Sequence, residues 1–168
     1  MSVFKAYDIR GLAGSQLDAE FAERLGKALA THLDADTVAV ARDIRESGPE
    51  LHAAFLVGLT STGASVLDLG ITTTGVLYRA TVDLPVDAAV VVTASHNPPE
   101  YNGFKLCKGL DSIHGEQIQE IRKIIENQAF ATGQGAITAV DVVTPYKKYL
   151  SENINIPRPI RLGVDAGN

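Results

Sequence analysis

One serine with a histidine beside it follows a short apolar run of the chain. The run Ala-Ala-Val-Val-Val at residues 88–92 is β-branched and has no polar alternation, which is typical of a fully buried strand. Ser95 and His96 come soon after it, in the sequence Thr-Ala-Ser-His-Asn-Pro-Pro at residues 93–99. The two prolines prevent a helix here and push Asn97 towards an extended backbone. We therefore expect a stiff, exposed loop that presents the serine hydroxyl where open α/β sheets bind ligands.

A serine hydroxyl reacts at neutral pH only with help from a base, a metal or a good electrophile. A hydrolase nucleophile is the weakest of three interpretations, because no Gly-x-Ser-x-Gly motif surrounds Ser95. A phosphoryl carrier fits better, since His96, Lys105 and Arg10 could converge on a phosphate that carries about −1.5 to −2 charges. A structural turn, with Arg10 paired to Asp8 and Lys105 in solvent, has nearly equal support from the spacing alone.

The composition is that of a globular protein and excludes a general anion-binding surface. The 168 residues are 45% hydrophobic, and 15 basic against 20 acidic side chains give a net charge of −5. Such a chain has no basic field to attract nucleic acid or an acidic membrane. The opening residues lack the apolar region of a signal peptide, and no apolar run approaches the roughly 18 residues of a spanning helix. The only cysteine, Cys107, is predicted to be a buried thiol in a strand, and we expect a cytoplasmic protein.

Strands and helices alternate along the chain. Apolar spacing and capping residues predict helices at residues 18–33 (capped by Asp18), 47–62 (begun by a Ser-Gly-Pro-Glu capping box and ended by Gly63), 75–80, after Gly115, and 144–153. Strands are predicted at residues 38–41, 64–69, 88–92 and 104–108, the last entered through an Asn-Gly turn at 102–103. This alternation predicts an α/β fold, a three-layer α/β/α sandwich with a mixed, partly parallel sheet.

Prolines mark a boundary near the end of the sequence. We assign residues 1–153 to one domain, 154–159 to a linker, and 160–168 to the first strand of a further domain. That last strand has no partner after it in the sequence, so we expect the chain to be the first part of a longer protein.

Three motifs, read together, resemble one enzyme family. They are Tyr-Asp-Ile-Arg-Gly at residues 7–11, Arg-Asp-Ile-Arg-Glu-Ser-Gly at 42–48, and Ser-His-Asn-Pro followed by Asn-Gly-Phe-Lys within 95–105. With these motifs the whole chain resembles the first domain of the α-D-phosphohexomutases, and it is most similar to their bacterial phosphomannomutase/phosphoglucomutase branch. Residues 164–168 resemble the first strand of the second of the family's four domains.

The resemblance implies a phosphoserine enzyme. Ser95 matches the serine that lends a phosphoryl group to a hexose 1-phosphate or 6-phosphate and takes the opposite one back from a bisphosphate intermediate. Lys105 matches a residue implicated in contacts and proton transfer, and is our candidate acid or base. The other matches are His96 and Asn97, which surround the phosphoserine, and Tyr7 and Arg10, which belong to the same pocket.

The resemblance also implies Mg²⁺, bound by the phosphate on Ser95 and by three aspartates of an Asp-Gly-Asp-x-Asp-Arg segment in the second domain. That segment is not in this sequence, and neither are the third and fourth domains, which recognise the sugar and the distal phosphate. We therefore expect mannose or glucose phosphates as substrates of the full-length protein, and weak Mg²⁺ binding and no turnover by these 168 residues alone. The alternative is a non-catalytic sugar-phosphate-binding or scaffold module.

Several charged residues are predicted to have structural roles only. Arg42 and Arg45 flank Asp43, and ion pairing that fixes the loop before the second helix is favoured over phosphate contact. For the remaining histidines, His32, His52 and His114, a ligand or catalytic role is not expected.

Overall fold

The computed structural model describes residues 2–165, in which a mixed sheet lies between two layers of helices. Its strands are β1 (Ile9–Leu12), β2 (Thr37–Arg42), β3 (Ser65–Ile71), β4 (Ala88–Val92), β5 (Tyr101–Lys108), β6 (Asp111–Ser112) and β7 (Ile137–Ala139). Its helices are α1 (Ala19–Leu33), α2 (Gly48–Thr60), α3 (Thr74–Asp83), α4 (Glu116–Asn127) and α5 (Val143–Asn153). The predicted α/β/α sandwich with a mixed sheet is confirmed.

The strand order brings three loops together at one edge of the sheet. The order is β1-β5-β4-β2-β3-β7, with β6 paired to β5. Strand β2 is parallel to β3 and β4, whereas β5 is antiparallel to both β4 and β1. The carboxyl ends of β2, β3 and β4 therefore share an edge with the beginning of β5. Residues 43–47, 72–73 and 93–100 form the loops at this edge.

Each face of the sheet carries its own apolar core. Helices α1, α2 and α4 cover one face, where the fully buried rings of Phe55 and Phe104 lie 5.2 Å apart. Helix α3 and the start of α5 cover the other face, over Ala39, Val91 and Cys107. Cys107 is 2% exposed, so the predicted buried thiol is confirmed.

Two glycines allow α1 and α2 to pack closely. A Cβ atom on Gly58 would lie 2.1 Å from the backbone oxygen of Glu23, and one on Gly26 would lie 2.5 Å from that of Phe55. Only glycine permits such an approach, because any side chain would overlap the backbone of the neighbouring helix.

Helices α1 and α2 both begin at the predicted positions, with Asp18 and Ser47 as their N-caps, but only α1 has the predicted capping hydrogen bond. Asp18 accepts a hydrogen bond from the backbone nitrogen of Phe21 at 2.8 Å. Ser47, by contrast, has a helical backbone and makes no capping hydrogen bond, so the predicted capping box is wrong. Its hydroxyl instead accepts a hydrogen bond from Asn102 Nδ2 at 2.8 Å. That long-range contact satisfies a fully buried amide and takes precedence over the local cap.

The predicted Asn-Gly turn at residues 102–103 is also wrong, because both residues lie inside β5. The antiparallel partner β1 was not predicted, and it pairs Arg10 with Gly103. Strands β6 and β7, which are short and exposed, were missed as well.

The last described residues are exposed and irregular. Residues 154–159 lack regular structure, as a linker would, and residues 160–165 join no strand. Residues 166–168 lie outside the described residues, so the assignment of 160–168 to a further domain stays a prediction. Between residues 2 and 165, no helix is long and apolar enough to span a lipid bilayer.

Candidate active site

The Ser95 loop, residues 93–100, connects β4 to β5. Ser95 is exposed, and its φ of +57° places it in the left-handed region, which costs a residue with a side chain about 1–3 kcal/mol. The next turn is closed by Asn97, whose backbone nitrogen and Nδ2 donate to the Ala94 oxygen at 3.1 and 2.8 Å. The predicted exposed loop at Ser95 is therefore present, with a strained backbone at the serine, and its stiffness stays a prediction.

A partly buried chain of hydrogen bonds holds the backbone of Ser95. The backbone nitrogen of Ser95 donates to Thr93 Oγ1 at 2.9 Å, and the Thr93 hydroxyl donates to Asp43 Oδ2 at 2.6 Å. Asp43 Oδ1 also accepts a hydrogen bond from the backbone nitrogen of Arg45 at 3.0 Å. The loop after β2 thus supports the loop after β4, because these parallel strands are neighbours.

Arg45 makes the predicted ion pair with Asp43, Nε to Oδ2 at 3.3 Å. The Arg45 side chain also makes a second set of contacts, which the sequence did not indicate. Its terminal nitrogens donate to four backbone oxygens, three in the Ser95 loop and one at the start of β5: those of Ser95 (3.0 Å), Asn97 (2.7 Å), Pro98 (2.7 Å) and Tyr101 (2.9 Å). Arg42 donates only to the Asp43 oxygen, at 3.1 Å, among its described hydrogen bonds.

Two cavities open beside Ser95. One, of about 590 Å³, is lined by Ser95 and Asn97 together with residues 43–46 and Pro99. The other, of about 610 Å³, lies between Ser95, Thr93 and residues 71–74 at the start of α3. Thr72 Oγ1 is buried without a hydrogen-bond partner at this place. Ser95 therefore lines two open cavities.

His96 is the nearest basic side chain along the loop. Its Nδ1 lies 3.4 Å from Ser95 Oγ, at the long end of hydrogen-bond distances, and both side chains are exposed.

Lys105 reaches the same edge through β5. It is half-buried and pairs with Val91, which lines the 610 Å³ cavity with Ser95. Paired residues of neighbouring strands point to the same face of a sheet. Lys105 is therefore on the cavity's face of the sheet, although it does not itself line that cavity.

Tyr7, Arg10 and Asn97 line one cavity, which Ser95 does not line, so the place of Tyr7 and Arg10 in the pocket of the phosphoserine stays a prediction. This cavity, of about 710 Å³, is formed by residues 5–8 and 10–12 with Gln16, Asn97 and Tyr101. Arg10 forms an ion pair with Asp8, as the interpretation of the motif as a structural turn predicts. The Nε atom of Arg10 is buried and makes no hydrogen bond. Asn97 lines both this cavity and the 590 Å³ cavity of Ser95, so it connects the two.

The described residues do not by themselves fit a Mg²⁺ ion. No group of three or more carboxylate, imidazole or thiol side chains with metal-binding geometry occurs among residues 2–165. Asp43, the carboxylate that lines both Ser95 cavities, is already bonded to Thr93 and Arg45. One hydroxyl is too few ligands for a cation that prefers six oxygens.

His52, outside this edge of the sheet, has a structural environment. Its Nε2 lies 3.2 Å from Asp68 Oδ1, and burial lowers the pKa of His52 despite the carboxylate, which acts in the opposite direction. Burial raises the pKa of the Cys107 thiol and keeps it protonated.

Comparisons with known proteins agree with this geometry. Residues 1–132 match the family model described as phosphoglucomutase/phosphomannomutase, alpha/beta/alpha domain I. The chain is 43% identical to a phosphoglucomutase of Neisseria meningitidis and 42% identical to a phosphomannomutase/phosphoglucomutase of Pseudomonas aeruginosa, in both cases over 99% of its own length. A crystal structure of a phosphoglucomutase/phosphomannomutase family protein from Burkholderia thailandensis superposes with a TM-score of 0.90 at 42% identity over 94% of the chain.

The chain spans 37% of the length of each of these three proteins. Residues 1–132 of this chain, which match the family model, include the Ser95 loop, the loop after β2 that supports it, and Tyr7, Arg10 and Asn97. The chain therefore belongs to the phosphoglucomutase/phosphomannomutase family, whose α/β/α domain I it contains.

Proposed function

We propose that the full-length protein interconverts hexose 1-phosphates and hexose 6-phosphates through a phosphoserine at Ser95. The observation that carries this proposal is the exposed Ser95, held in a left-handed backbone between two open cavities. Relatives named phosphoglucomutase and phosphomannomutase/phosphoglucomutase support the substrate class.

The transfer needs positioning more than covalent chemistry from the protein. In the first half-reaction, the bond between phosphorus and Ser95 Oγ breaks, and a bond from phosphorus to a hydroxyl of the hexose monophosphate forms. The hydroxyl loses its proton and Ser95 Oγ gains one. The second half-reaction reverses these steps with the other phosphoryl group of the bisphosphate, so the serine ends phosphorylated again.

Each predicted site residue receives a role in this proposal. Lys105, on the face of the sheet that also lines a Ser95 cavity, is the candidate proton carrier, and His96 is the neighbour of the serine oxygen. Arg10, Tyr7 and Asn97 offer a guanidinium, a phenol and an amide to the sugar phosphate from one cavity.

Mg²⁺ is proposed for the full-length protein only, with the phosphate on Ser95 as one ligand and the others from outside these residues. When bound, the ion would neutralise charge on the phosphoryl group. The 168 residues alone are expected to give no turnover with glucose 1-phosphate and Mg²⁺, and robust turnover would contradict this. A cytoplasmic location stays a prediction.

The test is Ser95→Ala in the full-length protein, with Ser151→Ala on the exposed side of α5 as the matched control. We expect Ser95→Ala to reduce conversion of glucose 1-phosphate and mannose 1-phosphate to the assay background, and Ser151→Ala to retain it. Undiminished conversion by Ser95→Ala refutes the phosphoserine mechanism. Binding of sugar phosphate by a wild-type protein that never converts it would favour a non-catalytic module.

A further inference from the structure

The guanidinium of Arg45 lies inside the Ser95 loop. The side chain is 12% exposed. Its Nη1 and Nη2 together make four hydrogen bonds of 2.7 to 3.0 Å to backbone oxygens between residues 95 and 101. The remaining donor, Nε, is buried beside the Asp43 carboxylate. A guanidinium has five N–H donors, and the four on the two Nη atoms are all used by these backbone oxygens, while Nε is ion-paired with Asp43 and makes no hydrogen bond.

We propose that Arg45 is a positioning residue, which holds Ser95 in the orientation needed for phosphoryl transfer without touching the phosphate. This inference rests on the phosphoserine chemistry proposed above and adds a specific residue to it. A left-handed backbone at a residue with a side chain persists only where the surroundings enforce it. Arg45 binds the oxygen of Ser95 itself, while Thr93 binds its nitrogen, so both sides of the residue are fixed.

The same contacts argue against a phosphate ligand at Arg45. To donate to a phosphate on Ser95, the guanidinium would have to release the backbone oxygens of Ser95 and Asn97, which have no other described donor; the Pro98 oxygen also accepts a hydrogen bond from the Tyr101 nitrogen at 3.0 Å. Asp43, within 3.3 Å, also lowers the net positive charge of the pair. Among the cavities beside the loop, Arg45 lines only the 590 Å³ one, together with Glu46, a second carboxylate.

Lysine cannot replace this arrangement, because its three donors share one nitrogen and the four oxygens surround a planar fork. The first variant is therefore Arg45→Lys in the full-length protein, with Arg122→Lys as the control. Arg122 lies on the exposed surface of α4, where it pairs with Glu126. Each protein is first labelled at Ser95 with radioactive glucose 1,6-bisphosphate and then mixed with excess unlabelled glucose 1-phosphate and Mg²⁺.

The readout is the rate constant for loss of label from Ser95. This rate constant does not depend on how much of the protein is folded, so simple destabilisation does not change it. We expect Arg45→Lys to lower it about 100-fold, since misplacing reacting atoms by about 1 Å costs that much. The KM for glucose 1-phosphate should change by less than about threefold, because the substrate-binding residues remain. Arg122→Lys should transfer at the wild-type rate.

The outcomes separate this inference from the proposed function. If the wild-type protein accepts no label at Ser95, the proposed function itself fails. If the wild-type protein accepts and transfers label, and Arg45→Lys transfers it within about threefold of the wild-type rate, the positioning role is overturned. A folded Arg45→Lys that accepts no label supports the role, because the same geometry serves transfer in both directions.

A second measurement covers the case in which Arg45→Lys does not fold. The side-chain ¹⁵N resonances of arginine in the full-length wild-type protein are compared before and after phosphorylation of Ser95. We expect the Arg45 Nη resonances to keep their shifts, since the guanidinium stays on the backbone oxygens. A large shift that reports transfer of its hydrogen bonds to the phosphate would overturn the proposal.

Discussion

Replacement of Thr93 by valine isolates the hydrogen-bond chain under Ser95. The side chain is 7% exposed, and valine has nearly the same shape, so the substitution leaves no cavity. It removes the bond from Thr93 Oγ1 to Asp43 Oδ2 at 2.6 Å and the bond from the Ser95 nitrogen to Thr93 Oγ1 at 2.9 Å.

The magnitude follows from these two bonds. A hydrogen bond to a charged group contributes about 1.5–3 kcal/mol, and a neutral one about 0.5–1.5 kcal/mol. Asp43 keeps Arg45 as a partner after the substitution, which favours the lower part of the range obtained by adding the two hydrogen-bond contributions. We therefore expect Thr93→Val to lower the free energy of unfolding by about 2–3 kcal/mol.

The assay is urea unfolding followed by circular dichroism, with the slope against urea compared between variants. The control is Thr138→Val on the exposed strand β7, which should change the free energy of unfolding by less than about 0.5 kcal/mol. If Thr93→Val unfolds with the same slope and a loss no larger than that of the control, the partly buried chain of hydrogen bonds does not support the loop and the reasoning is wrong.

Three other substitutions test the core and the buried histidine. Phe55→Ala, at a fully buried ring, should cost about 3–5 kcal/mol in urea unfolding, and a loss below about 1 kcal/mol contradicts the packing described. Gly58→Ala should lower the melting temperature, because the new Cβ would overlap the oxygen of Glu23; an unchanged melting temperature means that α1 and α2 are further apart. Burial lowers the pKa of His52 beside Asp68, so the unfolded state binds the proton first as the pH falls below about 6.5. The stability of the wild-type protein relative to His52→Gln should therefore decrease between pH 7.5 and 5.5, and a constant difference would show that His52 does not titrate differently on folding.

The regular elements could be predicted because their signals are local. The apolar face of α1 and its cap at Asp18 lie within a few residues of each other, and β4 is an uninterrupted apolar run. Strand β7 is exposed along its length, so it has no burial pattern to detect. The position of the start of α2 could be predicted, but its capping hydrogen bond could not, because Ser47 bonds to Asn102, which lies 55 residues away in the sequence.

The candidate site likewise has features that local sequence predicts and features that depend on distant residues. The residues of the Ser95 loop and the opening motif could be named in advance because their types and order are distinctive, and the structure brings Tyr7, Arg10 and Asn97 to one cavity. The role of Arg45 could not, because its partners are at least 50 residues away and become neighbours only through the pairing of β2 with β4. The sequence contains both motifs, but only the strand order shows that the side chain of Arg45 lies against the Ser95 loop.

The central claim is that Ser95 carries a transferable phosphoryl group. The most direct measurement is to incubate the full-length protein with radioactive glucose 1,6-bisphosphate, locate the label by peptide mapping, and then add unlabelled glucose 1-phosphate. We expect the label on the peptide that contains Ser95, and its appearance in hexose bisphosphate after the addition. Label on a different residue, or label on Ser95 that glucose 1-phosphate cannot remove, would contradict the account.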